Sequence, residues 1–519
     1  MIKVSLTVLV IFLMFLIYVS TPSTLISEPV DGSVNSTKLI SHFLKALPKN
    51  KVNKTKVGLL RHFIAPIRNI LPANGKLEDC GEPLFLTPLL KQGKIKEARN
   101  LSRVELPNDS GATHSFSGFF NVDEENGSEM FFWFFPAKIT PEVAPLLIWL
   151  QGGPGGSSLF GLFAENGPFG VDANMQLVYR NSSWSNTHNL LYFDNPVGTG
   201  FSFTTKDAGY ATNESAVGEG LYSALLQFLT LFPELRRNEL YVSGESYAGK
   251  YVPALSYTIH KHNPSADVKI NFKGMAIGDG LCDPVTMLDY GDFLYDVGLL
   301  DEVQRDLFRK KQVEIRSYIA KGLWQKAFIT FDELLNGDTT DTPSIFTNAT
   351  GLTFYYNYLT EREPDDMNFF GKYINEAEVR RAIHVGKLAF NDGKAVEQHL
   401  INDVMQSVKP WIEEILNQTQ YRVMIYNGQL DIIIAYPLTR NFVESLKWRD
   451  SDAYLSAPRR IWKVDGDVAG YVKETRNFVE VLVRGAGHMV PYDQPARAYD
   501  MINRFTGADA GKTSSSFMD

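Results

Sequence analysis

Leu146-Leu147-Ile148-Trp149-Leu150 is an unbroken apolar run, and a strand of this composition has no face to offer water. Related strand candidates lie at Met130–Lys138, Asn189–Asp194, Glu239–Ser243, Val268–Ile277, Arg422–Asn427 and Phe478–Arg484, with the first run extending over Pro145–Leu150. Between them, Ala216–Phe232 and Tyr247–His262 have the length and periodicity of helices. Strands buried on both faces, alternating with helices, specify an α/β fold: a mostly parallel central sheet flanked by helices. Residues 79–285 and 371–508 are expected to form that core. From 286 to 370 the alternation stops. A charged helical stretch, Asp301–Ala327, leads into a loop-like Asn336–Thr350, and the whole reads as a helical cap inserted over the sheet's carboxyl edge.

The chain begins Met-Ile-Lys and continues with apolar residues from Val4 to Val19, followed by small polar residues up to Thr24. This pattern predicts a signal peptide over 1–23, because the run is shorter than the ~20 residues that usually span a bilayer. No stable membrane insertion is expected after its removal. Residues 24–78, rich in Lys and Asn and broken by prolines, read as a leader or propeptide, and 509–519 as a flexible tail. Export makes glycans plausible at the Asn-x-Ser/Thr triplets of Asn35, Asn53, Asn100, Asn108, Asn126, Asn181, Asn213, Asn348 and Asn417. It also leads to the expectation of a disulfide between Cys80 and Cys282, the two cysteines of the chain. Two thiols exclude both a disulfide scaffold and a four-thiolate metal site. Nucleic acid is excluded as a partner by a net charge of −8 without a sustained basic tract.

The chemistry concentrates after the strands. Ser243-Gly244-Glu245-Ser246-Tyr247-Ala248 ends one strand candidate and opens a helix. That is the setting of a nucleophile elbow, in which a tight turn lifts a serine hydroxyl to the sheet edge. Serine becomes nucleophilic when a histidine takes its proton and a carboxylate orients the histidine. Hydrolases of this sheet type order these groups Ser, acid, His. Asp431 follows the strand candidate Arg422–Asn427, and His488 follows Phe478–Arg484, so both position and order fit. The other histidines fit less well. His260 and His262, two apart on a helix, point in different directions and make a poor metal pair. His384 and His399 precede the acid, and His42 and His62 lie in the leader. No metal and no cofactor are expected. Gln151-Gly152-Gly153-Pro154-Gly155-Gly156-Ser157-Ser158 lacks the Gly-Lys-Ser/Thr ending of a phosphate loop. Its glycines instead suit backbone N–H groups that approach a substrate oxyanion, Gly153 being the first candidate donor and Tyr247, after the nucleophile, the second.

These segments, together with Asp194-Asn-Pro-Val-Gly-Thr-Gly-Phe-Ser202, Gly278-Asp-Gly280 and Gly487-His-Met-Val-Pro491, resemble the serine carboxypeptidases, most of all the vitellogenic-like carboxypeptidases of animals. The resemblance spans roughly residues 80 to 506 and implies an α/β-hydrolase fold with Ser246, Asp431 and His488 as a triad. It also implies that Gly153 and Tyr247 form the oxyanion hole, and that Gln151, Gly152, Glu165 and Glu245 hold the substrate's terminal carboxylate. Many relatives have Asn at the position of Gln151 and a disulfide-forming Cys at that of Gly156. The amide is kept and its reach changes, while the relatives' disulfide pattern does not transfer. The implied activity is removal of single C-terminal residues from peptides and proteins through an acyl-enzyme, best in mild acid, by a secreted or lysosomal monomer or homodimer. Two other readings stand beside it: an acyltransferase on the same scaffold, and an inactive binding protein, which loss of Ser246 or His488 would have favoured.

Overall fold

The computed structural model describes residues 79–519 apart from 108, 110–113, 338, 340–341, 419, 509–516 and 518–519. The expected signal peptide and leader, most of the tail, and Asn35, Asn53 and Asn108 lie outside the described residues.

Among the described residues, eleven strands form one sheet: β1 (Arg103–Val104), β2 (Ser115–Asp123), β3 (Ser128–Phe135), β4 (Leu146–Leu150), β5 (Asn189–Phe193), β6 (Leu240–Glu245), β7 (Phe272–Gly278), β8 (Arg422–Gly428), β9 (Arg460–Val464), β10 (Asp467–Thr475) and β11 (Phe478–Val483). Their order across the sheet is β1-β2-β3-β5-β4-β6-β7-β8-β11-β10-β9. From β5 to β11 all pairings are parallel. The flanking pairings are antiparallel on both sides. Parallel neighbours end at the same edge, so the loops after β4, β6, β7, β8 and β11 converge there. Ligands of open α/β sheets bind at that edge.

The apolar runs have the expected cause. Leu146, Ile148 and Leu150 point into a core shared with α1 (Glu214–Leu231) and α2 (Ala248–His262). Leu147 and Trp149 point into a second core, on the opposite face. Burying each such side chain contributes roughly 1.5–3 kcal/mol, so neither face tolerates a polar substitution. Asn213 starts α1, its Oδ1 accepting the Ala216 N–H at 3.0 Å. The charged stretch Asp301–Ala327 is helical, comprising α3 (Glu302–Ala320) and the start of α4 (Trp324–Leu334). Gly322, at φ +67°, makes the break between them.

The Cys80–Cys282 disulfide is not formed. Cys282 is buried in the loop after β7, where its thiol donates to the Gly249 carbonyl at 3.4 Å. Cys80 follows Asp79, which pairs with Arg381, in a segment that then runs beside His384. An even cysteine count cannot reveal whether two Cα atoms come within the ~4.4–6.8 Å that a disulfide needs. Of the glycan candidates, Asn100, Asn181, Asn213, Asn348 and Asn417 are exposed. Asn126 is half-buried, its amide donating to Asp123 Oδ2 at 2.6 Å. Among the described residues, no helix is long and apolar enough to cross a membrane.

Candidate active site

The turn between β6 and α2 forces Ser246 into a left-handed conformation, φ +65°, which a non-glycine residue adopts only at a cost. Three hydrogen bonds hold it there. Ser246 N–H donates to the Gly278 carbonyl at 3.0 Å, and the Ser246 carbonyl accepts from Gly249 at 2.9 Å and Leu281 at 3.0 Å. The glycine-rich loop after β4 lies directly against this turn. A Cβ on Gly152 would stand 2.5 Å from Tyr247 N and 2.7 Å from Ser246 Cβ, so the two backbones pass at a distance only glycine permits. Gly153 is exposed beside it at φ +116°. Among the described residues, neither the Gly153 nor the Tyr247 N–H has a hydrogen-bond acceptor.

Asp431 and His488 meet from separate loops. His488 Nδ1 lies 2.8 Å from Asp431 Oδ2, and both side chains are buried. Asp431 Oδ1 accepts the Ile434 N–H at 3.3 Å. With Nδ1 tied to a carboxylate, Nε2 is left as the acceptor of the neutral ring. That Nε2 is buried and has no hydrogen-bond partner among the described residues.

Several groups that steady this pair were not expected from the sequence. The ring of Tyr356, from the stretch between β7 and β8, stacks on the His488 ring with centroids 4.9 Å apart and planes 20° apart. The Tyr356 carbonyl accepts the His488 N–H at 2.7 Å. Asp493 Oδ2 accepts the Gly487 N–H at 2.6 Å and the Asn357 amide at 3.1 Å. Asp279, from the Gly-Asp-Gly segment, is fully buried at φ +43° beside Asp431. The motif was legible, but nothing in its spacing assigned the acid a partner.

The four residues expected at a substrate carboxylate also come together. Gln151 Nε2 donates to Glu245 Oε1 at 3.0 Å, while Gln151 Oε1 accepts the Trp149 indole N–H at 3.0 Å, which fixes the amide's orientation. Glu165, on the π-helical turn Gly161–Asn166, meets Glu245, and both are buried. Burial pushes the Glu165 carboxyl up to about 7, with the neighbouring Glu245 and Gln151 side chains pulling it back. Burial first, and then the charge of Glu165, hold Glu245 well above the ordinary carboxylate range. Two buried carboxyls in contact keep a proton between them. The histidines set aside as a metal pair take separate partners, His260 lying near Tyr421 and Glu414 and His262 pairing with Glu219.

Comparison with known proteins gives this arrangement relatives. The serine carboxypeptidase family profile matches residues 107–508. The chain is 52% identical over 431 residues to a venom serine carboxypeptidase of Apis mellifera, covering 83% of this chain and 92% of that one. It is 52% identical over 452 residues to the probable serine carboxypeptidase CPVL of Homo sapiens, covering 86% and 93%. To the vitellogenic carboxypeptidase of Aedes aegypti it is 46% identical over 443 residues, covering 82% and 90%. Among solved structures, the prohormone-processing carboxypeptidase Kex1(Δ)p of Saccharomyces cerevisiae superposes with a TM-score of 0.65 at 23% identity, over 79% of this chain and 96% of that one, a likeness of fold. The sequence matches run over nearly the whole of each relative, and the fold is shared with Kex1(Δ)p. The chain belongs to the serine carboxypeptidase family and is a serine-type carboxypeptidase with the α/β-hydrolase fold.

Proposed function

We propose that the protein removes single C-terminal residues from peptides and proteins in two acyl-transfer steps. Ser246 Oγ attacks the last peptide carbonyl as His488 Nε2 takes its proton, and Asp431 stabilises the imidazolium that results. The Gly153 and Tyr247 N–H groups receive the oxyanion. His488 then returns the proton to the leaving amine, the C-terminal amino acid departs, and the acyl group stays on Ser246. Water, deprotonated by the same Nε2, releases the acid and restores the serine. The unpartnered Nε2 supports this role. Catalytic hydrogen bonds often tighten only when substrate is bound.

The observation that carries the exopeptidase reading is the buried Glu165–Glu245 pair with Gln151 attached, adjacent in sequence to the nucleophile. An endopeptidase binds no terminal carboxylate beside its serine and would not need a carboxyl donor there. Here the protonated carboxyl, the Gln151 amide and the Gly152 N–H donate to the substrate's terminal carboxylate. The sign of the pH effect follows. Glu165 is held at about 7, above its ordinary 4.5, so the pair keeps its proton in mild acid and gains negative charge as pH rises through about 7. KM for free-acid peptides should therefore climb with pH while kcat is largely preserved. KM for the same peptides with an amidated C-terminus should stay nearly flat, and Glu165→Gln with Glu245→Gln should flatten the free-acid curve. Superimposable KM profiles for acid and amide substrates would remove the clamp while leaving the triad.

The inserted helical segment, 286–370, serves in this reading as a cap, admitting a chain end to the sheet edge. Export is proposed from the apolar start of the sequence together with the triplets, which lie on exposed or half-buried asparagines where described. Intact mass of the protein made by its native cells should show the first residues removed and glycans added. An unmodified full-length mass from cytosol would contradict export.

A further inference from the structure

Asp279 takes no part in the steps above, yet it is fully buried and strained at the centre of the site. One of its oxygens, Oδ1, receives both available donors: the Asn427 amide at 2.9 Å and the Gly428 N–H at 2.8 Å. Oδ2 receives no N–H or O–H among the described residues. The carboxyl meets that of Asp431, and one ligand atom each of Asp279, Asp431 and His488 fall within 4.8 Å of one another. Asp431 differs in its donors, which are shared between its oxygens, Ile434 N–H on Oδ1 and His488 Nδ1 on Oδ2. Asp431 thus has both oxygens solvated as an anion, while Asp279 has one oxygen bare.

We propose, resting on the triad reading above, that Asp279 is a positioning residue: it carries on Oδ2 the one proton shared with Asp431 and donates it to that carboxylate. Asp431 then remains the single anion of the pair, turned toward His488 Nδ1. Burial first, and then the Asp431 charge, hold the Asp279 carboxyl well above the ordinary range, in keeping with this placement. The other charged or titratable groups that face it are Glu165 and Glu245, whose own proton leaves a further negative field, the Tyr426 hydroxyl from β8, and His488. The carboxyl groups oppose a second anion at this point, while the Tyr426 hydroxyl stays neutral. The hydrogen bond to Asp279 draws charge from Asp431 and leaves its Oδ2 turned to His488 Nδ1.

An asparagine at 279 would copy the protonated acid, its Oδ1 accepting from Asn427 and Gly428 and its Nδ2 donating to Asp431. The test uses a peptide ester substrate without a free C-terminal carboxylate, so that the Glu165–Glu245 pair does not shape the profile. D279N should keep kcat within about threefold of the parent, and the acid limb of its pH–rate profile within about 0.3 pH unit, since no charge is removed. D279A, lacking the donor, should lose about tenfold or more in kcat with its acid limb displaced to higher pH, because an unshared Asp431 charge favours imidazolium. An acid limb in D279N shifted down by about one unit would mean that the parent holds two anions, and would overturn the proposal. So would a D279A enzyme that matches D279N in both kcat and limb. If D279A does not fold, D279N against the parent still decides the charge. An NMR titration of the His488 ring in the parent and D279N reads the same displacement without turnover. A parent enzyme that hydrolyses no ester would fail the triad reading, whereas a moved limb in an active D279N fails only this one.

Discussion

Ser246→Ala should lower kcat by about 10⁶-fold while the fold and KM-level binding of a C-terminal peptide persist. The change removes one oxygen from a half-buried turn residue, and the three backbone hydrogen bonds that hold the turn involve no side-chain atom. Some acceleration over water should remain, because the Gly153 and Tyr247 N–H groups and the carboxylate-binding residues are untouched. The measurement is turnover of a chromophoric peptide alongside peptide binding by calorimetry. Retained turnover in a verified Ser246→Ala protein would sink the acyl-enzyme route, and binding lost together with turnover would point to a collapsed elbow.

Asp431→Asn should cost about 10⁴-fold in kcat with little change in KM. An asparagine fills the same buried space but can present its Nδ2 toward His488 Nδ1, now 2.8 Å from a carboxylate oxygen. The ring then keeps its proton on Nε2, the atom that must accept one from Ser246. No other carboxylate can take over, since Asp279 is anchored through Oδ1 to Asn427 and Gly428. Single-turnover acylation should slow to the same extent as kcat. A loss confined to KM would mean that Asp431 shapes the binding pocket rather than the base.

What could be read from the sequence, and what could not, follows the burial pattern. The strands buried on both faces, β4 to β8 and β11, announce themselves as apolar runs, because all their positions but Lys273 and Arg422 are buried. The strands at one end of the sheet, β9 and β10, Arg460–Val464 and Asp467–Thr475, mix exposed and buried positions, include charged residues, and escaped notice. The elbow, the acid and the histidine were legible because each follows a strand in a fixed order. Tyr356 and Asn357 were not, since they approach His488 from a stretch with no strand to place it. The cysteine pair failed for a related reason: composition counts thiols, whereas pairing depends on chain paths fixed by distant contacts such as Leu84 N–H to the His384 carbonyl.

The contacts made by the stretch between β7 and β8 bear on how such enzymes can be recombined. Four successive residues, 355 to 358, bind the loops of the acid and the histidine: the Tyr355 carbonyl to Ile433 N–H at 3.2 Å, the Tyr356 carbonyl to His488 N–H at 2.7 Å, Asn357 to Asp493 at 3.1 Å, and Tyr358 N–H to the Leu430 carbonyl at 3.0 Å. A chimaera that imports a relative's segment across 286–370 would import half of the base's mounting with it. Crossovers placed before residue 354 would exchange the helices and leave the mounting native. Specificity grafts in this fold therefore have a preferred seam, upstream of the tyrosine pair, and transplants cut beyond it should trade new substrate choice for a misaligned histidine.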